Sequence, residues 1–238
     1  GNGTNPTGTN RVQSWPFASN ANTVWTGAYI TALKHNVAGA SSSTDGYIMA
    51  GFLNASTQHG VIEKFPFSTN ASSAQTGLLT LARFAPGSNS SATRGYAVGG
   101  ATSPGVSQNV IDKFPFAAGG NATDVGDLPT VNRNMASQNS GTHGYATGGG
   151  NRVTDMRKFS FATDGNATDV ADLPAIIARA AGQSTGTDGY TSGGYTTSGP
   201  ANVVTTNITK FSFATDANAV DYAQDLTVSR MLTSGTQY

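Results

Sequence analysis

Few side chains in this 238-residue sequence are of types that do chemistry, and their spacing does not gather them. His35, His59 and His143 stand at unrelated intervals, none at metal-ligand spacing from another. The carboxylates Asp112, Asp124, Asp127, Asp164, Asp169, Asp172, Asp216, Asp221 and Asp225 are more numerous, but most recur at equivalent places. A glycosidase needs one pair of carboxyls about 5–9.5 Å apart in a single cleft, whereas recurring positions make rings. Asp164-Gly-Asn166-Ala-Thr-Asp169 has the oxygen content of a calcium loop without a full EF-hand pattern. The same letters are those of a turn between strands. Asp164, Asn166 and Asp169 are therefore the calcium candidates, with the turn as the plainer reading. No nucleophile elbow, zinc-protease helix or phosphate-binding loop is written in the chain. The expectation is a protein that is not an enzyme and carries no cofactor.

Composition narrows the partners. Thirteen basic and thirteen acidic residues cancel, and only 11 % of the chain is charged. A neutral, charge-poor surface argues against nucleic acid, whose binding needs a basic stripe to displace counterions. The lack of cysteine removes disulfides and sulfur-ligated zinc. No apolar run approaches the ~18 residues of a membrane span. The sequence opens at Gly1 with no visible signal peptide, so a processed terminus or a piece of a longer polypeptide is expected.

The elements that must position these residues are repeats. Gly-Tyr pairs place tyrosines at 47, 96, 145 and 190, and the second aromatic of a Phe-x-Phe element falls at 17, 67, 116, 161 and 213. The period is 45–52 residues, too long for a β-helix coil and without the 3.6-residue pattern of helical repeats. Each unit offers four short strands, exemplified by residues 135–139, GYAVGG, NVIDKFPF and DVGDL. Residues 175–181 (AIIARAA) would pass as a helical turn alone, but alignment with PTVNRNMA in the preceding unit makes them part of the repeat. Pro16, Pro66 and Pro115 inside the aromatic element predict a strand end with one unpaired side. The aromatics two apart, such as Phe114 and Phe116, predict a face packed on the neighbouring unit.

A strand ending in Gly-Gly, an aromatic strand, then an apolar residue, proline and arginine resembles the kelch repeat of β-propellers. The residues carrying the likeness are Gly99 and Gly100, Gly148 and Gly149, Gly193 and Gly194; Phe65, Phe114, Phe159 and Phe211; and Arg83, Arg133, Arg179 and Arg230. It covers nearly all of 1–238 as a single domain, with Phe where kelch units often carry Tyr and without a regular fourth-strand Trp. The resemblance implies an all-β propeller of four-stranded blades. Without cysteine, the cross-linked copper site of some kelch-like oxidases is excluded. Wording such as KFSFATDGNATDVADL is also similar to repeats in structural proteins of marine bacteriophages. Tyr238, taken as the repeat of Tyr190, gives a whole number of periods and an expectation of five blades, residues 229–238 supplying the first strand of the blade that residues 1–24 complete.

The loops divide into two kinds. Those between strands one and two (SSTDGY, SATRGY, GTHGY, GTDGY) hardly change, whereas those between strands two and three differ in every unit: 53–60, 101–109, 150–154 and 195–206. Recognition is expected on the individual side, with Phe52, His59, Arg152 and Tyr195 as ligand candidates. The basic residues Lys34, Arg83, Arg133, Arg179 and Arg230 are read as one structural position bonding carbonyls between blades, with ligand binding as the competing reading. The sequence thus points to a virion or extracellular-surface module, as tail fibre, tail spike or capsid decoration. It would bind a host-surface glycan or another virion protein, as a homo-oligomer or in many copies on a particle. A secreted bacterial carbohydrate-binding propeller and a glycan hydrolase or lyase are the alternatives.

Overall fold

The computed structural model describes residues 10–15, 18–19, 21–53, 57–198 and 201–231. All regular structure among them is β-strand, and no helix long and apolar enough to cross a membrane occurs. An antiparallel ribbon, β1 (Arg11–Ser14) with β2 (Val24–Tyr29), comes first. The first sheet is an up-and-down meander of β3 (Ala38–Ser41), β4 (Asp45–Met49), β5 (Val61–Pro66) and β6 (Ala74–Leu78). The second runs β7 (Gly87–Ser90), β8 (Arg94–Val98), β10 (Val106–Pro115) and β11 (Thr123–Asn132), with the short β9 (Ala101–Thr102) on the start of β10. The third is β12 (Ala136–Asn139), β13 (His143–Thr147), β14 (Asp155–Ser160) and β15 (Thr168–Asp172). The fourth is β16 (Ala181–Ser184), β17 (Asp188–Ser192), β20 (Ile208–Ser212) and β21 (Val220–Asp221), with a side hairpin of β18 (Tyr195–Ser198) and β19 (Ala201–Val204).

The four-strand expectation for each unit holds, and residues 175–181 contain no helix. Two of the expected loops are instead partly strand. Ala101–Thr102 form β9 and 106–109 the start of the ten-residue β10, and Tyr195–Ser198 pairs with Ala201–Val204 as β18 and β19. β-Branched Thr and Val, with Tyr195, favour extended backbone there that pairs with itself, which residue counting between landmarks cannot see. The proline expectation also holds. Pro66 and Pro115 pair with β4 and β8, while pairing with the fourth strand stops two residues earlier, at Lys64 and Lys113. Pro16 and Phe17 lie outside the described residues.

Within each sheet the Gly of the Gly-Tyr pair sits opposite the first Phe of the third strand: Gly46 on Phe65, Gly95 on Phe114, Gly144 on Phe159, Gly189 on Phe211. The ring lies flat over the glycine, so a Cβ at Gly95 would fall 2.2 Å from the Phe114 ring. The second position of the pair then has to project to the other face, where the next sheet waits. Tyr47 packs on Phe114 and Phe116, Tyr96 on Phe159 and Phe161, Tyr145 on Phe211 and Phe213. These rings centre the three apolar clusters of the core, one per joint between sheets.

First strands line up β3, β7, β12, β16. They are linked by side chains, since the N–H of Ser41 donates to Ser90 Oγ, that of Ser90 to Asn139 Oδ1, and that of Asn139 to Ser184 Oγ. At the outer edge the backbone N–H groups of Leu78, Asp127 and Asp172 donate to Asn121, Asn166 and Asn218 of the following unit. Each joint is thus a repeated set of inner, middle and outer contacts.

Candidate functional site

The basic residues show how the joint is built on the side of the individual loops. The N–H groups of Gly51, Gly100, Gly149 and Gly194 donate to the carbonyls of Arg83, Asn132, Ile177 and Arg230. Those four residues therefore share one position, with Lys34 its counterpart before the first sheet. Arg133 lies one residue further on and Arg179 two, so the expected single column of arginines is spread over three positions. The reason is visible in the third strands, whose facing column reads Glu63, Asp112, Arg157, Thr209.

Lys34 and Glu63 form a buried ion pair, and Thr31 donates to the same carboxylate through N–H (2.9 Å) and Oγ1 (2.5 Å), as does Ser73. Burial alone would raise the Glu63 carboxyl, but the donors from Lys34, Ser73 and Thr31 outweigh it and hold it at about 2. The second sheet repeats the arrangement. Arg83 Nη1 meets Asp112 at 2.8 Å, Thr80 donates through N–H and Oγ1, and Arg83 Nη2 donates to the Ala97 carbonyl at 3.0 Å. In the third sheet the cation comes from the opposite strand. Arg157 donates to the Gly148 carbonyl and to Asp155, so Asn132 is left to donate to the same carbonyl at 2.9 Å. In the fourth the pair is the uncharged Ile177 and Thr209. Arg133, freed from the node, reaches the Gly105 carbonyl at 2.6 Å, and Arg179 lies over the Tyr195 ring at 5.7 Å. Arg157 was not singled out in the sequence. Its signal was the column itself, in which a base replaces an acid where the partner column loses its base.

The glycine pairs lie against these nodes. Gly99, Gly148 and Gly193 have φ near +60°, and a Cβ on them would meet the carbonyls of Asn132, Ile177 and Arg230 at 2.5, 2.3 and 2.7 Å. Gly100, Gly149 and Gly194 donate to those same carbonyls. Both members of each pair are occupied with the next unit's turn.

The loops between strands two and three emerge at this end of the sheets, and the ligand candidates are distributed over it. Phe52 stacks between His35 (5.3 Å) and Phe84 (4.3 Å), making an aromatic row across the first and second sheets. His59 turns inward beside the Lys34–Glu63 pair, with Nδ1 buried and unpartnered; burial, and then Lys34, push its pKa down. Arg152 is exposed in the tight turn of the third sheet at φ +63°. Tyr195 starts the fourth sheet's side hairpin under Arg179. No hydrogen bond or ring contact joins Phe52, Arg152 and Tyr195 to one another among the described residues. They are three separate stations on one face.

At the opposite end the turns are copies. Ser42, Ser91, Ser140 and Thr185 each accept from the two N–H groups that follow two and three residues on. The calcium candidates lie here and do not converge. Asp164 pairs with Lys113 at 2.5 Å, Asn166 accepts from the Asp127 N–H, and Asp169 sits in β15 with burial raising its pKa. Asp216 pairs with Lys158 as Asp164 does with Lys113. Among the described residues no group of three His, Asp or Glu is arranged to hold a metal.

Compared with known families and curated proteins, the chain matches no family model and no curated sequence.

Proposed function

We propose that this chain is a kelch-like β-propeller acting as a non-enzymatic binding or structural module on a virion or other extracellular particle. The propeller reading rests on four equivalent four-stranded meanders with adjacent first strands and a ribbon that matches the third and fourth strands of a further one, five in all. The observation that carries the functional reading is the contrast between its two ends. One end repeats the same serine or threonine turn four times, while the other carries four unlike loops and the row His35–Phe52–Phe84. The stack of His35, Phe52 and Phe84, with Arg152 and the Arg179–Tyr195 pair as separate stations on the same end, offers the apolar and polar groups that suit sugar rings, which have apolar C–H faces and a hydroxyl rim. The partner is accordingly a host-surface glycan or a glycosylated or polar surface of another virion protein. Copies on a particle would add avidity to weak single sites.

The test is saturable binding of the labelled protein to bacterial envelopes and their isolated polysaccharides, with and without EDTA. Binding that disappears in Phe52→Ala and survives EDTA supports the reading. Its absence on every surface, with the protein still present in intact particles, would leave a purely structural role.

A further inference from the structure

We propose that the end with unlike loops takes an acidic polysaccharide, whose carboxylate or sulfate groups are held by Arg133, Arg152, Arg179 and Arg230. The proposal rests on the glycan reading above and names the class of glycan.

The net charge of zero hides how the charges are distributed. At the uniform end the lysine of every third strand is neutralised: Lys64 by Asp45, Lys113 by Asp164, Lys158 by Asp216 and Lys210 by Asp188. At the nodes the buried cations are neutralised too, Lys34 by Glu63, Arg83 by Asp112 and Arg157 by Asp155. Arg133, Arg152, Arg179 and Arg230, all at the end with unlike loops, have no ion pair among the described residues. Carboxylates without an ion pair are not set among them. Asp124, Asp127, Asp169, Asp172 and Asp221 belong to fourth strands, at the outer edge, whereas Arg133 and Arg179 lead into the inner strands β12 and β16.

Backbone bonds set the four arginines in one arc across the third and fourth sheets. The N–H of Gly150, two residues before Arg152, donates to the Arg133 carbonyl at 2.7 Å. The Arg179 N–H donates at 3.0 Å to the carbonyl of Asn134, the chain neighbour of Arg133. Ala178 and Tyr195 then exchange N–H bonds, and the Gly194 N–H donates to the Arg230 carbonyl at 2.6 Å. Arg152 and Arg230 are exposed, and neither guanidinium donates a hydrogen bond within the described residues. Arg133 spends one N–H of its five on the Gly105 carbonyl, and Arg179 holds its guanidinium against the Tyr195 ring.

The cations left unpaired on this end are arginines and not lysines. A guanidinium fork matches two oxygens of a carboxylate or sulfate, whereas a neutral sugar offers it hydroxyls without charge. Four forks along an arc suit a polymer with acidic groups on its sugars, and the His35–Phe52–Phe84 stack over the first two sheets offers apolar contact beside them. The arc spans only two sheets, a short stripe for the many phosphate contacts that hold a nucleic acid.

Affinity electrophoresis of the full chain through gels that each hold one polymer tests this. Polygalacturonate, alginate or dextran sulfate should retard the protein saturably, the uronates and the sulfate telling which acidic group is preferred. Methyl-esterified polygalacturonate and neutral dextran should bind about tenfold more weakly or less. Arg152→Gln with Arg230→Gln should weaken binding to the acidic polymer about tenfold or more, while Arg94→Gln at the uniform end binds as the parent does. Equal binding of charged and neutral polymers, or of the double variant and the parent, overturns this proposal and leaves the glycan reading standing. Retardation by double-stranded DNA as strong as by the acidic polysaccharides overturns it as well. Binding of no polysaccharide, charged or neutral, overturns both.

Discussion

Tyr96 of the second sheet and Phe161 of the third stack with centroids 5.0 Å apart and planes 23° from parallel. Tyr47 on Phe116 (4.6 Å, 25°) and Tyr145 on Phe213 (4.9 Å, 28°) repeat that relationship. The same stack thus recurs at each of the three joints between the four sheets, beside the ion pairs and hydrogen bonds that cross them. Tyr96→Ala should cost about 3–5 kcal/mol, as large aromatic truncations in cores do. Tyr47→Phe keeps the ring and loses only the 2.9 Å bond to the Phe116 carbonyl, so it should cost about 1 kcal/mol. Urea titrations of the two variants measure the difference.

The Arg83–Asp112 pair is fully buried, and its value depends on both halves. Removing one, as in Asp112→Leu, leaves a guanidinium without its counter-charge and should cost about 3–5 kcal/mol. Arg83→Met with Asp112→Leu should recover most of that loss, because an apolar pair of similar volume avoids desolvation altogether. If the double variant were as unstable as the single, the pair would have to be worth more than its desolvation.

Gly148 tests the backbone hook. With φ +60° and a Cβ site 2.3 Å from the Ile177 carbonyl, Gly148→Ala must push the connection to the fourth sheet away. Gly186, whose Cβ would meet nothing within 4 Å and whose φ is ordinary, should accept alanine with a change below about 0.5 kcal/mol. Thermal melts of the two variants report this directly.

The pH dependence follows from Glu63 and Tyr145. Glu63 has a folded value of about 2 against an ordinary 4.5, so its contribution is complete above 4.5 and lost as pH falls toward 2. Burial, reinforced by Asp216, raises the Tyr145 phenol to about 12; its contribution is complete below 10 and lost as pH rises through 12. Glu63→Gln should flatten the acid limb of the melting curve.

How much of this was legible in the sequence depended on what each landmark measures. The Gly-Tyr and Phe-x-Phe elements were readable because sterics tie them to one place: glycine must lie under a ring, and the tyrosine must then face the neighbour. The arginines were not, because a cation at the node can come from either strand. Arg157 entering from β14 let Arg133 and Arg179 drift to neighbouring positions while keeping the look of a column. The same drift affects the count of periods. Tyr47, Tyr96, Tyr145 and Tyr190 each follow the node residue (34, 83, 132, 177) by thirteen, whereas Tyr238 follows Arg230 by eight. Tyr238 lies outside the described residues, and its spacing does not make it the repeat of Tyr190. The candidate site was readable only as a contrast between loops, since residue types alone could not tell that His59 turns inward while Phe52 joins a stack.

The central claim is that recognition uses the end with unlike loops. The most direct measurement compares two variants in one envelope-binding assay: Phe52→Ala with Tyr195→Ala on that end, and Thr44→Ala with Thr187→Ala on the uniform end. The account predicts that the first loses at least about tenfold in affinity, roughly 1.4 kcal/mol, while the second binds as the parent does. Equal losses, or loss only in the second, would contradict it.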